Sequence, residues 1–303
     1  MPLIAAAPPE RVPLIGGFDY VIVDPARRRV YAAHRGNQSL MIVDADTGKL
    51  VGQVRVGPLA GVALNLRTGH VYTGNGNARS VSEIDPVTLK EVRSFGLPGP
   101  VDAIAYDPAS GSIYADENDG THIWIVDSKT FKQIGSIELP GHKPEYLAIN
   151  AGKRELYQNI ADISQVVIID LRTNKVVRTL PTPLITDNHP LQYDPAFDHI
   201  LVGGANGMLG VYDSTGKLLS QLSMVQSHVD QCSLDQERHL LACAGTSKIT
   251  LIKDNQNSPP RIVGTIDVAQ GLHTVAIDPK TGDIWGVWAD DRGDWVQRFR
   301  LTP

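Results

Sequence analysis

Apolar and polar positions alternate along this chain in short bursts, and the same burst returns seven times. Each opens on a run such as Val101-Asp-Ala-Ile-Ala-Tyr106, which predicts a short innermost strand. A turn follows, as in Asp107-Pro-Ala-Ser-Gly111. Asp accepts local backbone bonds, Pro presets φ and Gly supplies φ > 0, so the chain must reverse there. A second strand follows, often ending in a pair such as Val30-Tyr31, Val71-Tyr72 or Ile113-Tyr114. A third strand alternates apolar and polar residues: Leu40-Met-Ile-Val43, His122-Ile-Trp-Ile-Val126, Val166-Val-Ile-Ile169. An acidic turn, Asp44-Ala-Asp-Thr-Gly-Lys49 in the first copy, leads into an outer strand such as Val51-Gly-Gln-Val-Arg-Val56.

The Asp or Asn before the first turn anchors each copy, at Asp24, Asn65, Asp107, Asn150, Asp194, Asp235 and Asp278. The spacing is 41 to 44 residues. Four short strands in that period are the signature of a propeller blade. The predicted fold class is therefore all-β: one seven-bladed β-propeller over residues 1–303, with four antiparallel strands per blade. After the last anchor only three strands remain, at 274–277, 283–287 and 295–301. The N-terminal stretch Arg11-Val-Pro-Leu-Ile15 is expected to supply the fourth and close the ring, with residues 1–10 flexible.

The repeat resembles the YVTN family of seven-bladed propellers. The matching elements are the Asp-Pro-x-x-Gly turn, the Val-Tyr pair, and a third strand running into Asp-x-x-Thr-Gly/Asn-Lys. The clearest copy is Gln165-Val-Val-Ile-Ile-Asp-Leu-Arg-Thr-Asn-Lys-Val-Val177. The resemblance covers nearly the whole chain. It departs at Gly203-Gly-Ala-Asn-Gly207 and at the lengthened turn Asn255-Gln-Asn-Ser-Pro-Pro260, and the Gly-rich stretch 203–210 reads as loop. No Trp-Asp pair closes any repeat, so WD signatures fit poorly. The family motif is structural, and what it implies about function is a family often without catalysis and common in envelope proteins.

Composition narrows the partners. With 28 basic and 33 acidic residues the net charge is −5, and the basic residues are scattered. Duplex nucleic acid requires a basic face, so none is expected as partner. No apolar run reaches the length of a membrane span. A monomer is expected. The start, Met1-Pro-Leu-Ile-Ala-Ala-Ala-Pro-Pro-Glu10, lacks a basic region but looks like the remnant of a cleavage site. The expectation is a periplasmic or secreted protein, the alternative a cytoplasmic one. Cys232 and Cys243 fall on two sides of one predicted hairpin. Directly paired cross-strand disulfides are awkward, so two buried thiols are expected.

Candidate chemistry lies at the channel mouth, where the innermost strands begin. Five residues before each anchor stand Asp19, Ala60, Asp102, Glu145, His189, Asp230 and His273. Six of these seven can ionise, and only blade two, with Ala60, breaks the ring. Asp102, Glu145, His189, Asp230 and His273 are the candidate metal ligands. Carboxylates with imidazoles suit Zn, Mn or Fe; carboxylates alone suit Ca or Mg. The bland alternative is that they solvate a water-filled channel. A second ring follows the second strands: His34, Asn75, Glu117, Asn159 and Trp288, with Arg292 close behind. Asn75 and Asn159 read more naturally as turn formers. Trp288, at a loop edge, can stack on a ring or sugar. Asp19, His34, Asn75, Glu117, Trp288 and Arg292 are the candidate ligand-binding residues. His70, His199 and His239 fall on the opposite face and read as solvated, while His142 and His228 share loops with Glu145 and Asp230.

No Gly-x-Ser-x-Gly, His-Glu-x-x-His or P-loop occurs, and Gly74-Asn-Gly-Asn-Ala-Arg79 is only half a dinucleotide fingerprint. Three functions fit. The first is a binding propeller that holds a small molecule, an ion or a partner's loop at the channel mouth. The second is a metal-dependent hydrolase or lyase of lactonase-like design. The third is a structural interaction scaffold.

Overall fold

The computed structural model describes residues 2–12 and 16–302. Their strands form seven antiparallel sheets arranged as a seven-bladed propeller. The inner strands are Phe18–Asp24, Leu59–Leu64, Val101–Asp107, Pro144–Asn150, Asn188–Asp194, Gln231–Asp235 and Thr274–Ile277. In six blades the three following strands add outward in chain order. The only helical element among the described residues is a 3-10 turn at Ala161–Ile163.

The seventh sheet is closed by the N-terminal segment, which supplies two strands. Leu3–Ala5 and Glu10–Val12 both pair with Gly293–Leu301, Leu3 opposite Leu301 and Glu10 opposite Val296. Arg11 and Val12 do what was expected of them, while residues 13–15 lie outside the described residues. Residues 3–5, expected to be flexible, are instead a strand, because the last strand is long enough to template both pieces. Leu3 and Val12 are buried as a result.

The apolar clusters lie between blades. Leu201 and Val211 of blade five meet Cys232 and Leu241 of blade six, and Val30 and Met41 of blade one meet Trp285 and Val287 of blade seven. The Val-Tyr pair opens the second strand instead of ending it: Tyr31 is the third residue of Arg29–His34. Tyr31, Tyr72, Tyr114 and Tyr157 are all fully buried there. The Gly-rich stretch is also strand over most of its length, in His199–Gly204 and Met208–Asp213. Close approach explains its glycines, since a Cβ on Gly204 would meet the Thr186 carbonyl oxygen at 2.5 Å.

Cys232 and Cys243 form a disulfide rather than two thiols. They stand directly opposite in the ladder, and the Cα atoms are only 4.1 Å apart. That narrow spacing, close to the tighter pairing of an antiparallel ladder, brings the sulfurs within bonding reach.

On the turn face the anchors do more than form turns. Asp107 accepts from the amides of Ala109 and Ser110, then binds Arg154 of blade four through both oxygens, at 2.7 and 2.6 Å. Asp278 of blade seven takes Arg28 of blade one at 2.6 Å, and Asp194 of blade five takes His239 of blade six at 2.6 Å. Arg28, Arg154 and His239 each stand four residues after an anchor with φ of 54°, 59° and 50°. This left-handed turn residue aims its side chain back at the previous blade. Where that place is Gly69 or Gly282, the tie runs forward: Arg27 donates to the Thr68 carbonyl at 2.7 Å and Arg238 to the Pro279 carbonyl at 2.8 Å. Lys153 to Asp198, at 2.8 Å, and Asn65 to the Tyr106 hydroxyl, at 3.1 Å, complete the set. Every blade boundary is thus tied.

Candidate functional site

In five of the seven inner strands the opposite end is bulged, while in blades six and seven Asp230 and His273 stand just before the strand begins. In blade one the pairing jumps from Phe18 to Val21, freeing Asp19 and Tyr20. Blade two frees Ala60 and Gly61, blade three Asp102 and Ala103, and blade five His189 and Pro190. In blade four the bulge falls at Tyr146, beside Glu145. A bulge re-aims the residues it frees. Here it presents the ring positions to the channel.

All seven ring residues line one cavity of about 330 Å³. His189 Nε2 lies 3.6 Å from a Glu145 oxygen and 3.5 Å from one of Asp230. His273 Nδ1 is 2.5 Å from the other Asp230 oxygen. Arg35 pairs with Asp19 at 3.2 Å. The Asn159 amide donates to the His189 carbonyl at 2.8 Å and fixes that strand end. Among the described residues no three His, Cys, Asp or Glu side chains converge as ligands of a single ion.

Crowded acids in a partly dry cavity resist ionisation. Burial raises Asp19 to about 6 against the pull of Arg35. Burial, and then the charge of Asp19, raise Asp102 to about 8. Glu145 is pushed up to about 10 by burial and by Asp102. Behind them Asp116 is fully buried and held well above the ordinary carboxylate range by burial and Asp102. Burial lowers His273, but its bond to Asp230 outweighs this and leaves it raised.

The second ring is not brought to the cavity. His34 is fully buried, its Nε2 paired with Asp294 and its Nδ1 accepting from the Asn37 amide. It joins blade one to the closing strand. Asn75 is buried and donates to Ser80 and Ser82 within its own blade. Glu117 accepts from the Thr121 amide and from His122, both at 3.1 Å, and so closes its own turn. Trp288 sits within strand Ile284–Asp290, directly opposite Trp295, and is buried with the two rings 6.2 Å apart. The expected loop edge is strand because the pairing continues to Asp290. Arg292 is exposed, bonded to Asp290 at 2.7 Å.

The histidines of the turn face are not simply solvated. His199 is buried against Asp254 at 2.8 Å, His239 is tied to Asp194, and His70 lies 2.7 Å from Glu83. His142 and His228 are exposed. Sequence reasoning missed Arg35, Tyr20, Tyr146 and Asp119, which line the cavity, and Asp116 and Gln158 behind it. Tyr20 and Tyr146 had a usable signal, since each immediately follows a ring residue. Arg35 and Asp119 lie in loops whose length varies between repeats.

The fold and the acidic mouth define a seven-bladed β-propeller. No family model matches the chain, and no curated protein does. Among solved structures, a chain of Kuenenia stuttgartiensis hydrazine synthase is similar at a TM-score of 0.80 and 16% identity, covering 95% of this chain and 96% of that one. A chain of a mitotic checkpoint complex is similar at 0.84 and 14% identity, covering 99% and 92%. At these identities the likeness is one of fold alone. No helix among the described residues is long and apolar enough to cross a membrane.

Proposed function

We propose that this protein is a binding propeller that holds a small ligand or the tip of a partner's loop at its channel mouth. One observation carries the reading: seven ring positions from seven blades converge on one cavity of about 330 Å³. Its acids are held in unfavourable states, and groups tuned this way cluster at functional sites. The YVTN-type repeat accords with a non-catalytic role. A location outside the cytosol belongs to the same proposal, supported by the Cys232–Cys243 disulfide. Thermal-shift screening of a ligand library against the wild type and the His189→Ala, Asp230→Ala double variant tests the site. Hits that shift both proteins equally would remove it.

A divalent ion at Glu145, His189, Asp230 and His273 is a second reading. It is favoured by the chain of contacts that runs from Glu145 through His189 and Asp230 to His273, with Asp102 one blade away, and it requires these side chains to draw together around the ion. Bound metal would then make its water a nucleophile for ester or lactone hydrolysis. Elemental analysis after incubation with Zn²⁺, Mn²⁺, Fe²⁺, Ca²⁺ or Mg²⁺ decides it, with near-stoichiometric metal lost in the double variant as the supporting result. A third reading, an interaction scaffold, is favoured by the rim. Val92, Ile134 and Val177 occupy outer-strand bulges of three successive blades and are 52%, 60% and 56% exposed.

A further inference from the structure

The charges at the channel mouth are out of balance. Asp19 has Arg35, and Asp230 has His273 and His189. Asp102 and Asp119 line the same cavity with no basic group within ion-pair distance among the described residues, and Glu145 has only the shared His189 at 3.6 Å. Two further observations stand apart from the acids themselves. Tyr20 and Tyr146 line the cavity with ring centroids 5.6 Å apart. Aromatic faces beside carboxylates are the usual surroundings of a bound organic cation. Behind the wall, three fully buried acceptors have no donor: Asp116 Oδ1, Gln158 Oε1 and Asn159 Oδ1. Asp116 bonds Gln158 Nε2, which also lies 3.0 Å from the Glu145 carbonyl, and Asn159 stands opposite Glu145 in the ladder. The site is rich in acceptors and poor in donors.

We infer that the ligand held at this mouth is an organic cation, a primary ammonium or guanidinium on a slender chain. A Lys or Arg side chain at a partner's loop tip and a free polyamine share this chemistry. The inference rests on the reading of the mouth as a binding site. A cavity of about 330 Å³ accepts such a chain. The cation brings the positive charge that Asp102, Asp119 and Glu145 lack as a partner, with Tyr20 and Tyr146 beside its stem.

Calorimetry of the full chain tests this with spermidine and with the capped peptides Gly-Lys-Gly, Gly-Arg-Gly and Gly-Glu-Gly, plus glucose and Zn²⁺. The expected result is binding of the cationic probes alone. It should weaken at least about tenfold in Asp102→Asn, Glu145→Gln, and weaken with added salt. Spermidine without the Lys and Arg peptides indicates a free polyamine; the peptides without spermidine indicate a partner loop. Both support the inference. Ala60→Lys places a tethered ammonium in the one non-ionisable ring position and should abolish binding in a folded protein. If glucose, Gly-Glu-Gly or Zn²⁺ binds instead and is lost in the ring variants, the inference falls while the binding site stands. Cationic probes that bind equally well to all variants overturn both. No binding by any probe overturns the inference.

Discussion

Asp102 and Asp107 stand at the two ends of one strand, and they live in opposite electrostatic worlds. Asp107 is fully buried, and burial alone would raise it, yet the Arg154 fork outweighs this and holds it at about 2. Asp102 meets mainly other acids and sits at about 8. The contrast extends round the ring. On the turn face a carboxylate or amide anchor binds its own turn, and a tie crosses each blade boundary. At the mouth the carboxylates outnumber their partners. Burial pushes both acids up; the Arg154 fork reverses that at Asp107, and no such partner reverses it at Asp102. The turn face uses acids to hold blades together, and the mouth keeps them for something else.

The largest effect should come from breaking a tie. Asp107→Ala leaves the Arg154 guanidinium without its partner and should cost about 3 kcal/mol in urea unfolding. A cost near zero would erase the distinction between the faces. The mouth should respond in the opposite direction. Asp102→Asn removes a group that resists ionisation, so the variant should gain at least about 1 kcal/mol over wild type at pH 8. A loss of stability there would mean that Asp102 has a cationic partner after all.

The pH profiles sharpen the contrast. Asp107 has a folded value below its ordinary 3.8, so its stabilisation is present above about pH 4 and is lost as pH falls toward 2. Asp102 has a folded value above 3.8, so the native state keeps a proton that the unfolded chain releases. Its contribution is complete below about pH 4 and declines as pH rises toward 8. Thermal melts across this range should show Asp107→Ala differing from wild type least in acid, and Asp102→Asn differing most in base. The smallest effect belongs to Arg292→Ala. An exposed pair at 2.7 Å should leave both the melting temperature and probe binding at the mouth unchanged.

The ring positions and blade boundaries were legible because the turn chemistry repeats. Counting five back from each anchor found every ring residue that lines the cavity, including the gap at Ala60. Trp288 and His34 were misplaced for a shared reason. A strand that continues past its expected end looks like loop when its residues are polar or aromatic. Only the pairing of Trp288 with Trp295, and of His34 with Asp294, reveals the difference. The ties across the turn face were present in the sequence as Arg28, Arg154 and His239, each four places after an anchor. They went unread because a basic residue in a turn usually means solvent. The disulfide was not legible because a directly paired cross-strand bridge is awkward, and only the 4.1 Å between these two Cα atoms brings the sulfurs together.

The pairing of Leu3 with Leu301 sets an order on the molecule's own assembly. That contact spans almost the whole chain, and contacts of such sequence separation form late. During folding the segment of residues 3–12 must wait, unsatisfied, until strand Gly293–Leu301 is available. For that interval it is a loose apolar lead beside an unsealed ring, the state in which a neighbouring copy or a chaperone would find it. The ring therefore seals only when these two distant segments meet.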